Sequence, residues 1–375
     1  MMFRKQNMTG AAMLAALLAT GASTAQAEWR SPTDSASFQA ECFRPWSDTT
    51  ATWTHEGREG PYRIAVVNSF TGNTWRIQML KTLLAFAETP EIADNVEELK
   101  VISTGTDVSA QIAAMEDFIN QGYDAVIANA MSTEGFDRVI RAGERAKSIV
   151  MTFDNVLGTD KLMQLSSDNH EFGRIQGEFL IDKMGTSGKV LEVRGLPGIS
   201  VDLDRHDGLR EILDQHSGIE IVEVVGNWDD GTAQKVVADA IATHGTFDGF
   251  AVQAGSTGAL QAILDAGHPF VPIAAEAENG CRKMAAELSS EGLEVVSVGY
   301  SPALGAIAVK AAVAALQGEA LPQLMSVPLP VAYSGELEDG LNYWSNLDDN
   351  FFTPNEFPPC NVNFTAEQIM TQDVN

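Results

Sequence analysis

The sequence predicts an α/β protein built of two doubly wound lobes, and three observations carry that prediction. From Arg63 onward, short apolar strands alternate with amphipathic helices, the βαβ rhythm of a parallel sheet. The alternation runs through two similar series in succession. The first strand, residues 64–67, ends in a polar loop (68–74) followed at once by Trp75 and Arg76. That loop leaves the carboxyl end of a buried strand, where open α/β sheets hold their ligands.

The elements follow in order. After the 64–67 strand, Ile77, Leu80, Leu83 and Leu84 define the apolar face of a helix. A strand over 99–103 leads to a helix with Val108, Ile112, Met115, Phe118 and Ile119 on one face, stopped by Gly122. Next come a strand over 125–130, a helix over 136–146 and a strand over 149–153. The second series is expected to begin after Met163, Gln164 and Leu165. It continues with a helix over 172–184, strand 190–193, helix 209–213 and strand 219–225. Helix 233–241, strand 250–252, helix 260–264, strand 271–274 and strand 295–298 complete it. Pro302 then opens an alanine-rich helix over 304–316, ended by Gly318.

The first residues have the order of a secretory leader: Arg4 and Lys5, an apolar run over 11–19, then Ala25-Gln26-Ala27. The apolar run is too short to span a bilayer. Cleavage after Ala27 leaves a chain long enough for two domains. It is expected to be soluble in the periplasm, with residues 28–61 as an irregular N-terminal extension. The formal net charge of −27 becomes more negative without the leader's two cations. Such a surface repels nucleic acid and anionic membrane, since binding phosphate needs clustered cations.

Of three cysteines, Cys42 and Cys360 lie in loop-like, proline-containing flanks, CFRPW and FPPCN. In an exported chain they are expected to pair and tie the N-terminal extension to the C-terminal tail. Cys281 opens an apparent helix and reads as a small buried thiol. No metal spacing appears, the six histidines are scattered, and there is no nucleophile elbow or phosphate-binding loop. No cofactor is expected.

Read in sequence, the chain resembles the type I periplasmic solute-binding proteins of bacterial ABC sugar importers, the ribose- and galactose-binding group. The resemblance covers roughly 63–331. It rests on QIAAMEDFINQGYDAVIANAMS (111–132), IVMTFDN (149–155), SSDNHEFGRIQGEFL (166–180), GKVLEVRGLPG (188–198), RHDGLREIL (205–213), SVGYSPALGAIAV (297–309) and VPLPV (327–331). It implies two Rossmann-like lobes joined by three crossover strands near 162–167, 299–301 and 326–330. A ligand would be clamped between them by hinge closure. The lobes would comprise 62–163 with 302–327 and 164–301 with 328–345, leaving 346–375 as a tail. The implied partners are a small sugar or polyol and permease subunits of an importer, the protein acting as a monomer.

The resemblance also implies ligand positions, carried over where the local pattern matches. Asn73 and Trp75 occupy the polar and aromatic places of the first βα loop, and Arg76 stands where a second aromatic is common. Asp154 ends its strand at the acidic place, followed by Asn155. Arg205 precedes the GLREIL helix, and Trp228 follows the strand over 219–225. Gln253 stands near the family's asparagine, within QAGST in place of the usual NDxMA. Glu276 replaces an aspartate, and Tyr300 lies on the hinge side.

These residue types suit a sugar. Ionised Asp154 and Glu276 only accept hydrogen bonds; Arg76 and Arg205 only donate them, in a planar fork. Trp75 and Trp228 offer rigid apolar area for C–H faces. Each also has a plainer reading: Trp75 as a packing residue, Arg205 bridging to Asp202, Asp204 or Asp207, Asp154 shaping a turn, Glu276 as a solvated acid beside Glu278, Tyr300 as packing. Trp75→Ala and Arg205→Ala are expected to weaken binding with little change in melting temperature. Two other roles share the fold: a receptor feeding a chemotaxis or kinase sensor, and the ligand half of a repressor, which the leader argues against. A sugar hydrolase using Asp154 and Glu276 is the enzymatic alternative.

Overall fold

The computed structural model describes residues 41–374. The expected leader and cleavage site and the first part of the expected N-terminal extension lie outside the described residues. Two six-stranded sheets organise the chain. The first has the spatial order Leu324–Ser326, Met163–Ser166, Ile149–Phe153, Ala125–Asn129, Tyr62–Asn68, Val96–Ser103, every pair parallel. The second runs Val331–Tyr333, Val295–Val298, Ile273–Glu276, Gly249–Val252, Ser187–Arg194, Gly218–Val225. Only its first strand is antiparallel.

In both sheets the first strand of the series lies between the second and the third, so each has one point where the direction of winding reverses. Loops from adjacent strands diverge there and leave a crevice at the carboxyl ends. The central strands are buried along their whole length (Ala125–Asn129, Ile149–Phe153, Gly249–Val252). That is expected of parallel sheets covered by helices on both faces.

The helix Leu304–Leu316 is buried at every position. Its alanines and glycine let it lie between the first sheet and the helix Thr74–Ala87 without a polar face. Its one cation, Lys310, is met by the Glu91 carboxylate and the Cys360 carbonyl. No helix among the described residues is long and apolar enough to cross a membrane.

The chain passes between the sheets after Ser166, after Val298 and after Ser326. One element moves relative to the sequence expectation: Met163–Ser166 pairs with Ile149–Phe153 and edges the first sheet. The first crossing therefore falls after Ser166, within the expected 162–167, and the strand's residues 164–166 join the first lobe rather than the second. Its local sequence contains nothing to say which sheet it joins; the partner strand does.

The extension and tail are bound to this frame. Strand Thr52–Trp53 pairs with Leu321–Pro322, and Arg44 and Trp46 bond along the strand Leu324–Ser326. Cys42 and Cys360 form a disulfide across 318 positions of sequence, a closure that limits the unfolded chain. Cys281 is a free, buried thiol, and burial pushes its ionisation up.

Candidate functional site

Both sheets turn their carboxyl ends toward one cavity between the lobes. Asn73, Trp75, Arg76, Asp154, Arg205, Trp228, Glu276 and Tyr300 line it, with Val201, Ala254 and Phe352. Eight of the ten residues expected from sequence thus share one wall system, although they span more than two hundred positions of chain.

The first lobe contributes an anchored ion pair. Asn73 caps the helix Thr74–Ala87 by accepting from the Arg76 backbone N–H, which starts the helix so that Trp75 and Arg76 face the cavity. The Arg76 guanidinium donates to Ser69 Oγ at 2.7 Å and to Asp154 Oδ2 at 3.3 Å, and stacks on Phe70 at 4.4 Å. Asp154 sits at φ +70°, a left-handed backbone that few non-glycine residues adopt. Its Oδ1 accepts from the Tyr300 hydroxyl at 2.7 Å. Strain held at a fully partnered residue beside a cavity is characteristic of a built site.

The second lobe mirrors this with Arg205 and Glu276. Arg205 donates to Glu276 Oε2 at 3.2 Å, to the Gln253 carbonyl at 2.6 Å and to Asn169 Oδ1 at 3.0 Å. Phe172 and Tyr300 cover its planar face at 3.8 and 4.8 Å. The helices Asn169–Met184 and Ser200–Leu213 place it by touching backbone to backbone. A Cβ on Gly173 would lie 2.0 Å from the Arg205 carbonyl oxygen. Burial raises the Glu276 carboxyl to about 7, against the opposing pull of Arg205. Asp202, an alternative partner for Arg205 by sequence, is instead held by Arg194 and the Gly195 N–H.

The aromatic walls are also fixed. The Trp75 indole N–H donates to the Tyr300 carbonyl at 2.9 Å, and the two rings lie 5.3 Å apart. Trp228 follows Asn227, both at positive φ, and its indole N–H reaches Gln253 Oε1 at 3.2 Å. The indole packs directly against Gly195, where a Cβ would fall 2.0 Å from its ring atoms. Gly195→Ala is therefore expected to push the indole out of its seat and weaken ligand binding about 10- to 100-fold, the value of one apolar wall. Titration of the variant checks this; unchanged affinity would remove Trp228 from the site.

Two expected residues do not line the cavity. Asn155 donates to the Ala130 carbonyl at 2.8 Å and accepts from Ser200 Oγ of the second lobe at 3.1 Å. Its amide is committed to holding the lobes together. Gln253 is buried behind Trp228, its oxygen bonded to the indole and the Gly195 N–H, its nitrogen to the Asp202 carbonyl. It positions the aromatic wall. Sequence reasoning missed Val201, Ala254 and Phe352. None of the three carries a local signal in the sequence.

Arg205 also turns out to be more than a donor to ligand. With three bonded partners and two ring contacts, its removal leaves Glu276 buried without a counter-charge, so its loss is expected to lower stability as well as affinity. Outside the cavity, Glu192, His206 and Glu223 bring ligand-type atoms within 4.8 Å of one another, but the imidazole is already bonded to Glu192 at 2.9 Å.

A family model described as a periplasmic binding protein domain matches residues 64–320. The ribose import binding protein of Bacillus subtilis is 25% identical over 232 residues, covering 61% of this chain and 75% of that protein. The xylitol-binding protein of Mycolicibacterium smegmatis is 26% identical over 186 residues, covering 48% of this chain and 53% of that protein. An ABC transporter solute binding protein from Thermobispora bispora superposes with a TM-score of 0.68 at 23% identity, over 83% of this chain and 94% of its own. That likeness is one of fold.

Proposed function

The chain belongs to the periplasmic binding protein family, and from that premise we propose that it captures a sugar or polyol between its lobes by hinge closure and delivers it to a membrane permease of an ABC importer. The observation that carries this reading is the pairing in one cavity of two indoles with two arginine–carboxylate pairs, one pair from each lobe. A polyhydroxylated ligand needs this mixture: acceptors and donors for hydroxyls around its rim, flat apolar area for its C–H faces. The relatives that carry import of ribose and binding of xylitol in their names point to the same class. The protein binds and releases its ligand unchanged: Asp154 and Glu276 are each engaged by an arginine, not arranged as a free acid and a free nucleophile. It works as a secreted monomer in the periplasm.

A micromolar dissociation constant corresponds to about −8.2 kcal/mol. Charge-assisted bonds of about 1.5–3 kcal/mol each, with the two aromatic walls, supply that after the cost of closure. A thermal-shift screen of the mature protein against sugars, polyols, sugar acids and amino acids tests the class. A ligand that binds only the folded state raises the melting temperature, so a sugar or polyol hit supports the reading. Hits confined to amino acids or other solutes would overturn it.

Glu276 gives the binding a pH dependence. Its folded-state ionisation lies at about 7, so it is carboxylate above that value and carboxylic acid below. Affinity for a neutral sugar whose hydroxyl donates to it is expected to be highest above pH 7. It should fall on acidification by up to about tenfold per pH unit. Titrations from pH 5.5 to 8.5 measure this. Glu276→Gln should flatten the profile; a flat profile in the unmodified protein would place Glu276 outside the ligand's reach.

A further inference from the structure

The C-terminal tail departs from the two-lobe scheme. Residues 344–351 are bound to the second lobe. The Asn279 amide donates to the carbonyls of Trp344, Leu347 and Asp348. The backbone N–H groups of Asn279 and Gly280 donate to the Phe351 and Asp349 carbonyls at 2.8 and 2.9 Å. At the next residue the chain is bound to the first lobe. Gln78, buried on the helix Thr74–Ala87, accepts from the Phe352 N–H at 2.8 Å and donates to its carbonyl at 2.9 Å. Thr353 returns a bond to the Ala277 carbonyl at 3.0 Å, and Ser301 of the second crossing donates to the Pro354 carbonyl. Beyond this, the Cys42–Cys360 disulfide and the Lys81 bond to the Met370 carbonyl fix the tail to the first lobe.

The point at which the tail changes lobes is the point at which it enters the cavity. Phe352 is buried and lines the cavity with Trp75 and Trp228. We propose that the tail is a fourth connection between the lobes, and that Phe352 is a specificity-determining residue that it delivers to the ligand. This rests on the sugar or polyol reading of the cleft. An aromatic ring here covers C–H surface and offers no partner to a hydroxyl, so it selects against ligands carrying a polar substituent on that side. Its own N–H and carbonyl are held by Gln78 of the first lobe, and its neighbours Phe351 and Thr353 by the second, so its place depends on how the two lobes sit against each other. Ligand contact and closure are thus linked at one residue.

The test is the affinity of the mature protein and of Phe352→Ala for a panel of pentoses, hexoses and linear polyols, with the melting temperature of each ligand-free protein. The best ligand is expected to lose tenfold or more in affinity on Phe352→Ala. Ligands larger or more polar on that side should gain relative to it, and the rank order should change. The Gln78 clamp holds backbone atoms, so it survives the substitution. Should Phe352→Ala fail to fold, Phe352→Leu keeps the apolar bulk and is expected to reorder the panel in the same sense at smaller size. A panel bound by the variants with unchanged affinities and order would overturn the proposal and leave the function of the cleft standing. An unmodified protein that binds no member of the panel would overturn both.

Discussion

Arg205→Ala is expected to weaken ligand binding at least 100-fold and to destabilise the ligand-free protein more above pH 7 than below it. The affinity loss has two sources. One charge-assisted donor disappears, about 1.5–3 kcal/mol. Glu276 then loses the cation bonded to it and with it the orientation that lets it accept from a ligand. The stability loss follows from burial. Removing one partner of a buried ion pair costs about 3–5 kcal/mol when the other stays charged, and Glu276 can escape part of that by taking a proton.

The sign follows from its raised ionisation. Glu276 titrates near 4.5 when unfolded and at about 7 when folded, so the folded state binds the extra proton between those values. The group's contribution to stability falls as pH rises from 4.5 to 7 and is level above that. Without Arg205 the folded value moves higher still, and the fall continues past pH 7. The gap between unmodified and variant protein should therefore widen from pH 6 to pH 8, measured by chemical denaturation at both. A constant gap would mean that Glu276 does not depend on Arg205. Arg205→Lys keeps the charge but not the fork and the stacked plane, and should fall between the two.

Asp154→Asn is expected to have an effect of similar size by a different route. Asparagine tolerates the left-handed backbone at φ +70°, so the turn survives and only the charge is lost. Arg76 is then a fully buried cation without its carboxylate. Burial already lowers its ionisation, and Asp154 is the main influence opposing that. A loss of up to about 3–5 kcal/mol in stability is expected, with at least 100-fold weaker binding as Arg76 and Tyr300 lose their common anchor. Asp154→Ala should be worse, because it adds backbone strain to the lost charge. Denaturation and titration of the two variants side by side separate these effects. Equal stability of Asp154→Asn and the unmodified protein would show that the pair is not structural.

Much of this fold is legible locally because its strands are buried on both faces and end at polar or glycine-rich turns. The strands Ile149–Phe153 and Val295–Val298 and the helix Leu304–Leu316 have the bounds their sequence implies. The helix Ser200–Leu213 begins nine residues before the apolar segment that marks it. Its first half carries Asp202, Arg205 and His206, whose partners are tertiary rather than helical. Those charges, invisible to an apolar periodicity, are what the site needs. The strand over 271–274 slides to Ile273–Glu276, since Pro272 cannot donate to the ladder. The slide is what carries Glu276 to the strand's carboxyl end.

The candidate site was legible to the extent that its residues sit at strand ends. Arg76, Asp154, Arg205 and Glu276 are marked by charge beside an apolar run, and the structure brings them to one cavity. Asn155 and Gln253 show where that logic stops. Both are polar, both follow a strand, and both are satisfied by backbone partners that only the folded chain supplies. Phe352 shows the opposite failure. Its place is set by Gln78, 274 positions away, so no local pattern announces it.

The most direct test of the account is the crystal structure of the mature protein with the ligand that the thermal-shift screen identifies. One sugar or polyol is expected between Trp75 and Trp228, its hydroxyls bonded to Arg76 or Asp154 on one side and to Arg205 or Glu276 on the other. A ligand bound outside the cleft, or held by residues of one lobe alone, would contradict it.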